Sequence, residues 1–284
     1  MKIRKHLLCV VFTVIVASLL SSCTEMTIWS ENWKSLDIYG KVVDQYGDPV
    51  VAAKVEGSIL LNVSLVKSGG ETHFTQTDSQ GFFNFLGIHG VKIGVLPQKD
   101  GYYYNPKLSS QRPPNYSPDP NNPVVFPMWK IRGTEPLVRS AINADLSPEG
   151  KTVILDTTTG KQTPDGDLRI TFFRFPLEIK PGLVHPYDWR FKIEMVNGGL
   201  AQESDPYPYW APESGYQALF GFEMNSNSNP WQNQFEQNFY IKNSNGRYGL
   251  MKFLVYSASK QPQVQINFTI NPSGSQNLEP DFSK

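Results

Sequence analysis

The sequence predicts an all-β protein built from two β-sandwich domains, and three observations support this fold class. The candidate strands are short, rich in β-branched and aromatic residues, and separated by turn residues. Residues 189–195 and 264–270 alternate strictly between apolar and polar side chains, which is typical of antiparallel sheets with one buried face. No comparable window has the 3.6-residue period of a helix. We therefore expect an antiparallel sandwich or a jelly roll in the C-terminal half, and another sandwich before it.

The first residues have the composition of a secretory signal peptide. Lys2, Arg4 and Lys5 precede an uncharged run at residues 7–20, which as a helix would be about 21 Å long. A bilayer core of roughly 30 Å needs a longer segment, so a cleaved signal is favoured over an uncleaved membrane anchor. We expect this signal to occupy residues 1–22.

Small residues and a cysteine follow the apolar run, as Leu20-Ser21-Ser22-Cys23. This stretch resembles the lipobox of bacterial lipoproteins. The resemblance implies cleavage before Cys23, lipidation of its thiol and membrane attachment through the lipid, with Thr24 favouring the outer membrane or cell surface over the inner membrane. Two or three acyl chains hold a protein on a bilayer where one does not. The alternative is an ordinary signal peptide that leaves Cys23 as a free thiol.

Charge and cysteine usage exclude several classes of partner and site. Loss of residues 1–22 removes three of the 26 basic residues, which leaves 23 against 26 acidic residues and a formal charge of −3. We expect no nucleic-acid partner, because such a partner requires a basic face. Cys9 leaves with the signal, so internal disulfides and structural thiolate metal sites are excluded from the mature chain.

The first domain is expected at residues 37–131, after a tether at residues 23–36. Its candidate strands are residues 38–44, 52–56, 59–66, 73–78, 82–86 and 91–96. Asp78 and Gly81 lie in a turn signal and are expected to form a hairpin turn. A calcium site there is disfavoured, because one carboxylate cannot supply the six to eight oxygens that calcium needs.

Residues 40–57 and 75–102 carry a characteristic set of glycines, acids and aromatic residues. These are Gly40, Val42, Asp44, Gly47, Pro49, Val55, Thr77, Asp78, Gly81, Phe82, Phe85, Gly101 and Tyr102. The pattern resembles the carboxypeptidase regulatory-like domain. The resemblance implies a transthyretin-like, Ig-type sandwich that serves as a structural or binding module and holds no catalytic residues. The chain departs from the family at Ala52-Ala53, where Gly-Ala is usual, and in a longer loop at residues 66–72.

The middle of the chain changes character from about residue 97. Proline, asparagine and serine accumulate there together with tyrosines, which predicts an irregular extension that covers the first domain or the junction. A last strand is expected at residues 124–131. The C-terminal antiparallel domain is expected at residues 150–284, where no family resemblance is evident. Its candidate strands are residues 168–175, 189–195, 216–223, 235–241, 248–257 and 264–270.

The residues that could carry chemistry are few. His73, His89 and His185 are too far apart in sequence for a zinc site, and no Gly-x-Ser-x-Gly motif is present. We predict no catalytic residue, no metal and no cofactor. An enzyme with an unrecognised site in the C-terminal domain, near His185 and Asp188, is kept as an alternative.

Aromatic residues are dense in the C-terminal domain and stand among Asn, Gln and Ser. Trp210, Trp231, Tyr207 and Tyr209 are the candidate ligand-binding residues, because aromatic faces can stack on sugar rings while amides bind hydroxyl groups. The alternative is that these residues pack irregular loops onto the sheet. The sequence thus predicts a lipid-anchored cell-envelope protein that acts as a non-catalytic structural or binding module. The alternative is a glycan-binding accessory protein. Besides the membrane, the candidate partners are a glycan and an envelope protein.

Overall fold

A computed structural model describes residues 34–64, 67–108, 118–175, 187–258 and 260–282 of the chain. The predicted signal peptide, the lipidation site Cys23 and His185 lie outside these ranges. About half of the described residues lie in β-strands, and the helical structure among them is one short 3₁₀ turn at Pro106–Leu108, which confirms the all-β prediction. Among these residues, no helix has the length and apolar character needed to cross a membrane.

The chain packs as two compact units, divided between Ile131 and Arg132, and each is described by itself. The strands of the first unit are β1 Ile38–Val43, β2 Lys54–Ser64, β3 Lys67–Gln76, β4 Phe82–Phe85, β5 Lys92–Gln98, β6 Tyr102–Tyr103, β7 Val124–Pro127 and β8 Trp129–Lys130. The strands of the second unit are β9 Val138–Asp145, β10 Val153–Asp156, β11 Lys161–Gln162, β12 Leu168–Arg174, β13 Trp189–Met195, β14 Gly199–Gln202, β15 Leu219–Met224, β16 Gln234–Lys242, β17 Tyr248–Tyr256 and β18 Gln263–Ile270.

In the first unit, the described strands form two three-stranded sheets, β4-β1-β7 and β3-β2-β5, and a small β6-β8 pair. β1 pairs antiparallel with β4 and parallel with β7. Phe83 and Phe85 of β4 are buried in the core, where the ring of Phe83 lies 5.4 Å from that of Phe126. Gly57 of β2 leaves room for the Phe85 ring, since a Cβ there would lie 2.9 Å from Cζ of Phe85. The two sheets therefore enclose a common core.

A turn forms at Asp78 as predicted, but it is not a hairpin turn, because the strands on either side, β3 and β4, lie in different sheets. One carboxylate oxygen of Asp78 accepts hydrogen bonds from the backbone N–H groups of Gln80 and Phe82, at 2.8 and 2.9 Å. The neighbouring Thr77 is buried; its hydroxyl donates to the carbonyl of Val50 at 2.7 Å and accepts from the N–H of Ala53 at 2.8 Å. Asp78 thus shapes the turn, while Thr77 ties the turn to the loop before β2.

The second unit is a sandwich of two five-stranded antiparallel sheets in its described part. The sheet orders are β11-β10-β12-β13-β15 and β14-β16-β17-β18-β9. Their facing side chains form one core, in which the Phe191 ring of β13 lies 5.3 Å from the Phe253 ring of β17. Interdigitating apolar faces of this kind supply most of the stability of a sandwich. β9, which lies before residue 150, forms an edge of this unit by pairing with β18.

A third layer covers part of the sheet β14-β16-β17-β18-β9. It consists of residues 203–217 and the C-terminal segment at residues 271–282. Its Ala211 and Leu278 form a small apolar cluster with Tyr240 of β16. Trp210 pairs with Asn277 in an isolated β-bridge. The C-terminal segment is therefore an integral part of the second unit.

Candidate functional site

The four aromatic residues predicted to bind a ligand are mostly engaged in packing. Tyr207 is only 3% exposed, and the Tyr209 ring lies 5.9 Å from it and 5.3 Å from the ring of Phe282. Trp231 packs against the sandwich core and donates its indole N–H to the carbonyl of Tyr187 at 3.0 Å. These contacts favour the loop-packing alternative for all three.

Trp210 is the most accessible of the four, with 36% of its surface exposed. The guanidinium of Arg132 lies 3.9 Å from the centre of its indole ring, a cation–π contact that occupies one face. Trp231 lies against the core while Trp210 belongs to the third layer, so the structure gives these two residues different surroundings.

A groove that the sequence analysis missed lies on the outer face of β12, β13 and β15. It has a volume of about 460 Å³ and is lined by Phe173, Arg190, Phe191, Lys192, Gly221, Phe222 and Glu223. Alternation along β13 places Trp189 and Phe191 in the core, and therefore Arg190 and Lys192 on the solvent side. The strand pairing sets Arg190 between Phe173 and Glu223, and Lys192 beside Gly221.

One wall of the groove is aromatic. Phe173 is half-buried, and its ring occupies the space where a Cβ of Gly150 would project. Phe175, just past the end of β12, is not part of the lining of the groove; it has 46% of its surface exposed and is fixed by a backbone hydrogen bond to the carbonyl of Asp188. The guanidinium of Arg190 lies 5.1 Å from the ring centre of Phe173 and 5.4 Å from that of Phe175. The cation is thus held against two phenyl rings.

Gly221 opens the floor of the groove. A Cβ at this position would have no neighbour closer than the carbonyl oxygen of Phe191, at 3.9 Å. A strand glycine without a packing reason marks a place where a ligand or another backbone can approach the sheet. The glycine therefore creates depth that a larger residue would remove.

The charges of the groove are only partly paired. Lys192 forms an ion pair with Glu194, 3.3 Å apart. Arg190 and Glu223 stand directly opposite each other on β13 and β15, yet neither forms an ion pair with any described residue. One cation and one carboxylate are therefore available to a ligand.

A second recess, of about 490 Å³, has Glu135, Glu279 and Asp281 among its lining residues. The carboxylates of Glu279 and Glu135 bind other groups of the second unit. Glu279 is fully buried and accepts hydrogen bonds from the N–H groups of Arg132 and Gly133 at 2.9 Å. Glu135 accepts bonds from the Asn271 amide at 2.9 Å and from the hydroxyls of Ser273 and Ser275. These bonds fasten residues 132–135 to the C-terminal segment.

The hydrogen bonds to Glu135 also change its titration. Donation by the Asn271 amide, followed by Ser275 and Ser273, lowers the pKa of Glu135 below its ordinary value. Its carboxylate is therefore charged in the folded state under neutral conditions. The structure assigns it to holding the segment in place.

Asp188, the candidate residue of the alternative enzyme site, also has a hydrogen-bond partner within the fold. Its carboxylate accepts a hydrogen bond of 2.6 Å from the backbone N–H of Ser226, and this bond lowers the pKa of Asp188. Within the described ranges, no group of three or more His, Cys, Asp or Glu side chains is placed to hold a metal ion.

Comparisons of the chain with protein-family models, with curated proteins and with solved structures found no match.

Proposed function

We propose that this protein is a lipid-anchored component of a bacterial cell envelope whose second unit is a non-catalytic binding module. The observation that carries the binding role is the groove on β12, β13 and β15. It combines an aromatic wall, a glycine floor and two charges that have no ion-pair partner among the described residues, all on one face of the sheet. Convergent polar groups in an otherwise apolar recess are the usual features of small-ligand sites.

The lipid anchor is supported by the sequence around Cys23. A basic start, a short apolar run and a cysteine behind two serines favour processing as a lipoprotein. Acyl chains on Cys23 would hold the folded units at the outer membrane or the cell surface. The first unit would then be a structural or binding module close to the membrane, and its resemblance to carboxypeptidase regulatory-like domains supports that role.

The anchor is tested by the mass of the protein purified from membranes. We expect the chain to begin at Cys23 and to carry the added mass of two or three acyl chains. The Cys23→Ala variant should lack this mass and leave the membrane fraction. A native protein with an unmodified Cys23 would overturn the anchor.

The binding role is tested by retention of the full chain, in mild detergent, on immobilised envelope fragments from the cells that produce it. We expect saturable retention that the same fragments in solution compete away. If the wild-type protein is not retained, the binding role is wrong.

A further inference from the structure

We propose that the groove on β12, β13 and β15 binds a saccharide through Arg190, Glu223 and Phe175. This inference rests on the proposed binding role of the second unit and names the class of ligand. The proposed glycan site lies on the outer face of the sheet, and not at Trp210, Trp231, Tyr207 and Tyr209. Charge, surface character and depth each support it.

Arg190 and Glu223, which form no ion pair within the described ranges, favour a ligand rich in hydroxyl groups. Arg190 can only donate hydrogen bonds, and an ionised Glu223 can only accept them. A simple anion would satisfy Arg190 but meet Glu223 across the strand pair, and a simple cation would face the reverse problem. A hydroxyl group both donates and accepts, so neighbouring hydroxyls on one sugar ring can satisfy both residues. Hydrogen bonds to charged groups are also the stronger ones.

The phenyl rings that Arg190 contacts, Phe173 and Phe175, match the other property of a sugar ring. One side of many pyranose rings is formed by C–H groups and is apolar, and such a side packs against an aromatic face. Phe175 is nearly half exposed, while Arg190 lies against it at 5.4 Å. A sugar stacked on the open part of this ring would lie beside the guanidinium that binds its hydroxyls.

The groove has a suitable depth and size. Gly221 lets a ring approach the backbone of β15, because no side chain fills this position. The volume of about 460 Å³ lies within the range of roughly 300–1,000 Å³ found for small-ligand sites.

The ligand class is tested by treating the immobilised envelope fragments before the full chain is added. Periodate cleaves the vicinal diols of sugars, whereas proteinase K removes proteins. We expect periodate to abolish retention and proteinase K to leave it unchanged. Retention that survives periodate but is lost after proteinase K would overturn the saccharide and leave the binding role intact, and no retention on untreated fragments would overturn both.

Two variants test the residues. Arg190→Met and Glu223→Gln should each weaken retention about tenfold, since each removes a charge-assisted hydrogen bond. The matched controls are Arg169→Met and Glu236→Gln, which alter exposed residues of β12 and β16 that do not line the groove. Thermal unfolding of all four variants verifies that they fold. If the groove variants are retained as well as their controls, the assignment is wrong.

Discussion

The guanidinium of Arg190 packs against the ring of Phe173, 5.1 Å from its centre, and forms no ion pair with Glu223, which stands directly opposite on the neighbouring strand. An exposed ion pair contributes about 0–1 kcal/mol, and a cation–π contact at an exposed site contributes about 0.5–1 kcal/mol. Neither arrangement dominates on energy alone. The aromatic contact leaves the charges of both Arg190 and Glu223 available, which is the basis for placing a ligand here.

Phe175 is predicted to act in binding and not in folding. Because Phe175 is nearly half exposed and its contact with Arg190 is a surface cation–π contact, Phe175→Ala should lower the free energy of unfolding by no more than about 1 kcal/mol. The same variant should weaken retention on envelope fragments several-fold, since the stacking surface is lost. Denaturant unfolding and retention, measured on one preparation, separate the two effects. Unchanged retention would remove Phe175 from the site.

Gly150 is predicted to position the aromatic wall. A Cβ added to Gly150 would collide with the ring of Phe173, whereas a Cβ added to Gly215 would meet nothing within 4 Å. Both glycines have a φ of +88°, so the two positions share the same backbone strain and differ in the steric contact. Gly215→Ala should therefore cost about 1 kcal/mol for the backbone alone. Gly150→Ala should cost about 1–3 kcal/mol more because of the steric conflict, and it should also weaken retention. Equal losses in the free energy of unfolding would contradict this role.

Glu279 is predicted to be important for the stability of the second unit. Its buried carboxylate accepts hydrogen bonds from the backbone N–H groups of Arg132 and Gly133. Glu279→Gln places an amide N–H₂ toward these donors and should lower the free energy of unfolding by about 1–3 kcal/mol. Glu236→Gln, at an exposed position, is the control. Chemical denaturation measures both, and a loss no larger than that of the control would be the contrary result.

The stability of the second unit should also depend on pH through Glu135. The folded-state pKa of Glu135 is lowered from an ordinary value of 4.5 by its bonds to Asn271, Ser275 and Ser273. Its contribution is therefore complete above pH 4.5 and is lost as the pH falls through the lowered folded pKa. Melting temperatures measured from pH 6 to pH 3 should fall less steeply for Glu135→Gln than for the native chain. Parallel curves would show that Glu135 does not contribute.

Much of the strand pattern could be predicted because alternating side chains report directly on a half-buried sheet. Residues 189–195 coincide with β13, and residues 264–270 cover all but the first residue of β18. The edge strand β9 was missed, since most of its side chains are exposed and the sequence there has no marked apolar alternation. Residues 52–56 and 59–66 were predicted as two strands, because Gly57 and Ser58 between them resemble a turn. They belong largely to the single strand β2, in which Gly57 makes room for the ring of Phe85.

The candidate site could not be predicted in the same way. Aromatic density in residues 207–231 signalled a ligand site, but exposure depends on which loops fold back onto the sheet. The C-terminal segment supplies Phe282 beside Tyr209 and Leu278 beside Ala211, and these long-range contacts are not encoded in local spacing. The groove combines residues from three strands, and only the solvent-side position of Arg190 could be inferred from the alternation along β13.

The central claim is that the groove on β12, β13 and β15 binds a saccharide, and filling the floor of the groove tests it most directly. In Gly221→Leu, the new Cβ would lie no closer than 3.9 Å to any neighbouring atom. The matched control is Gly94→Leu on β5 of the first unit, where the nearest atom to the new Cβ is also 3.9 Å away. Both variants should fold with a free energy of unfolding close to that of the native chain. The measurement is the apparent dissociation constant for periodate-sensitive retention on envelope fragments. We predict that Gly221→Leu weakens it at least about tenfold while Gly94→Leu leaves it unchanged; equal affinities of the two variants would contradict a ligand site in the groove.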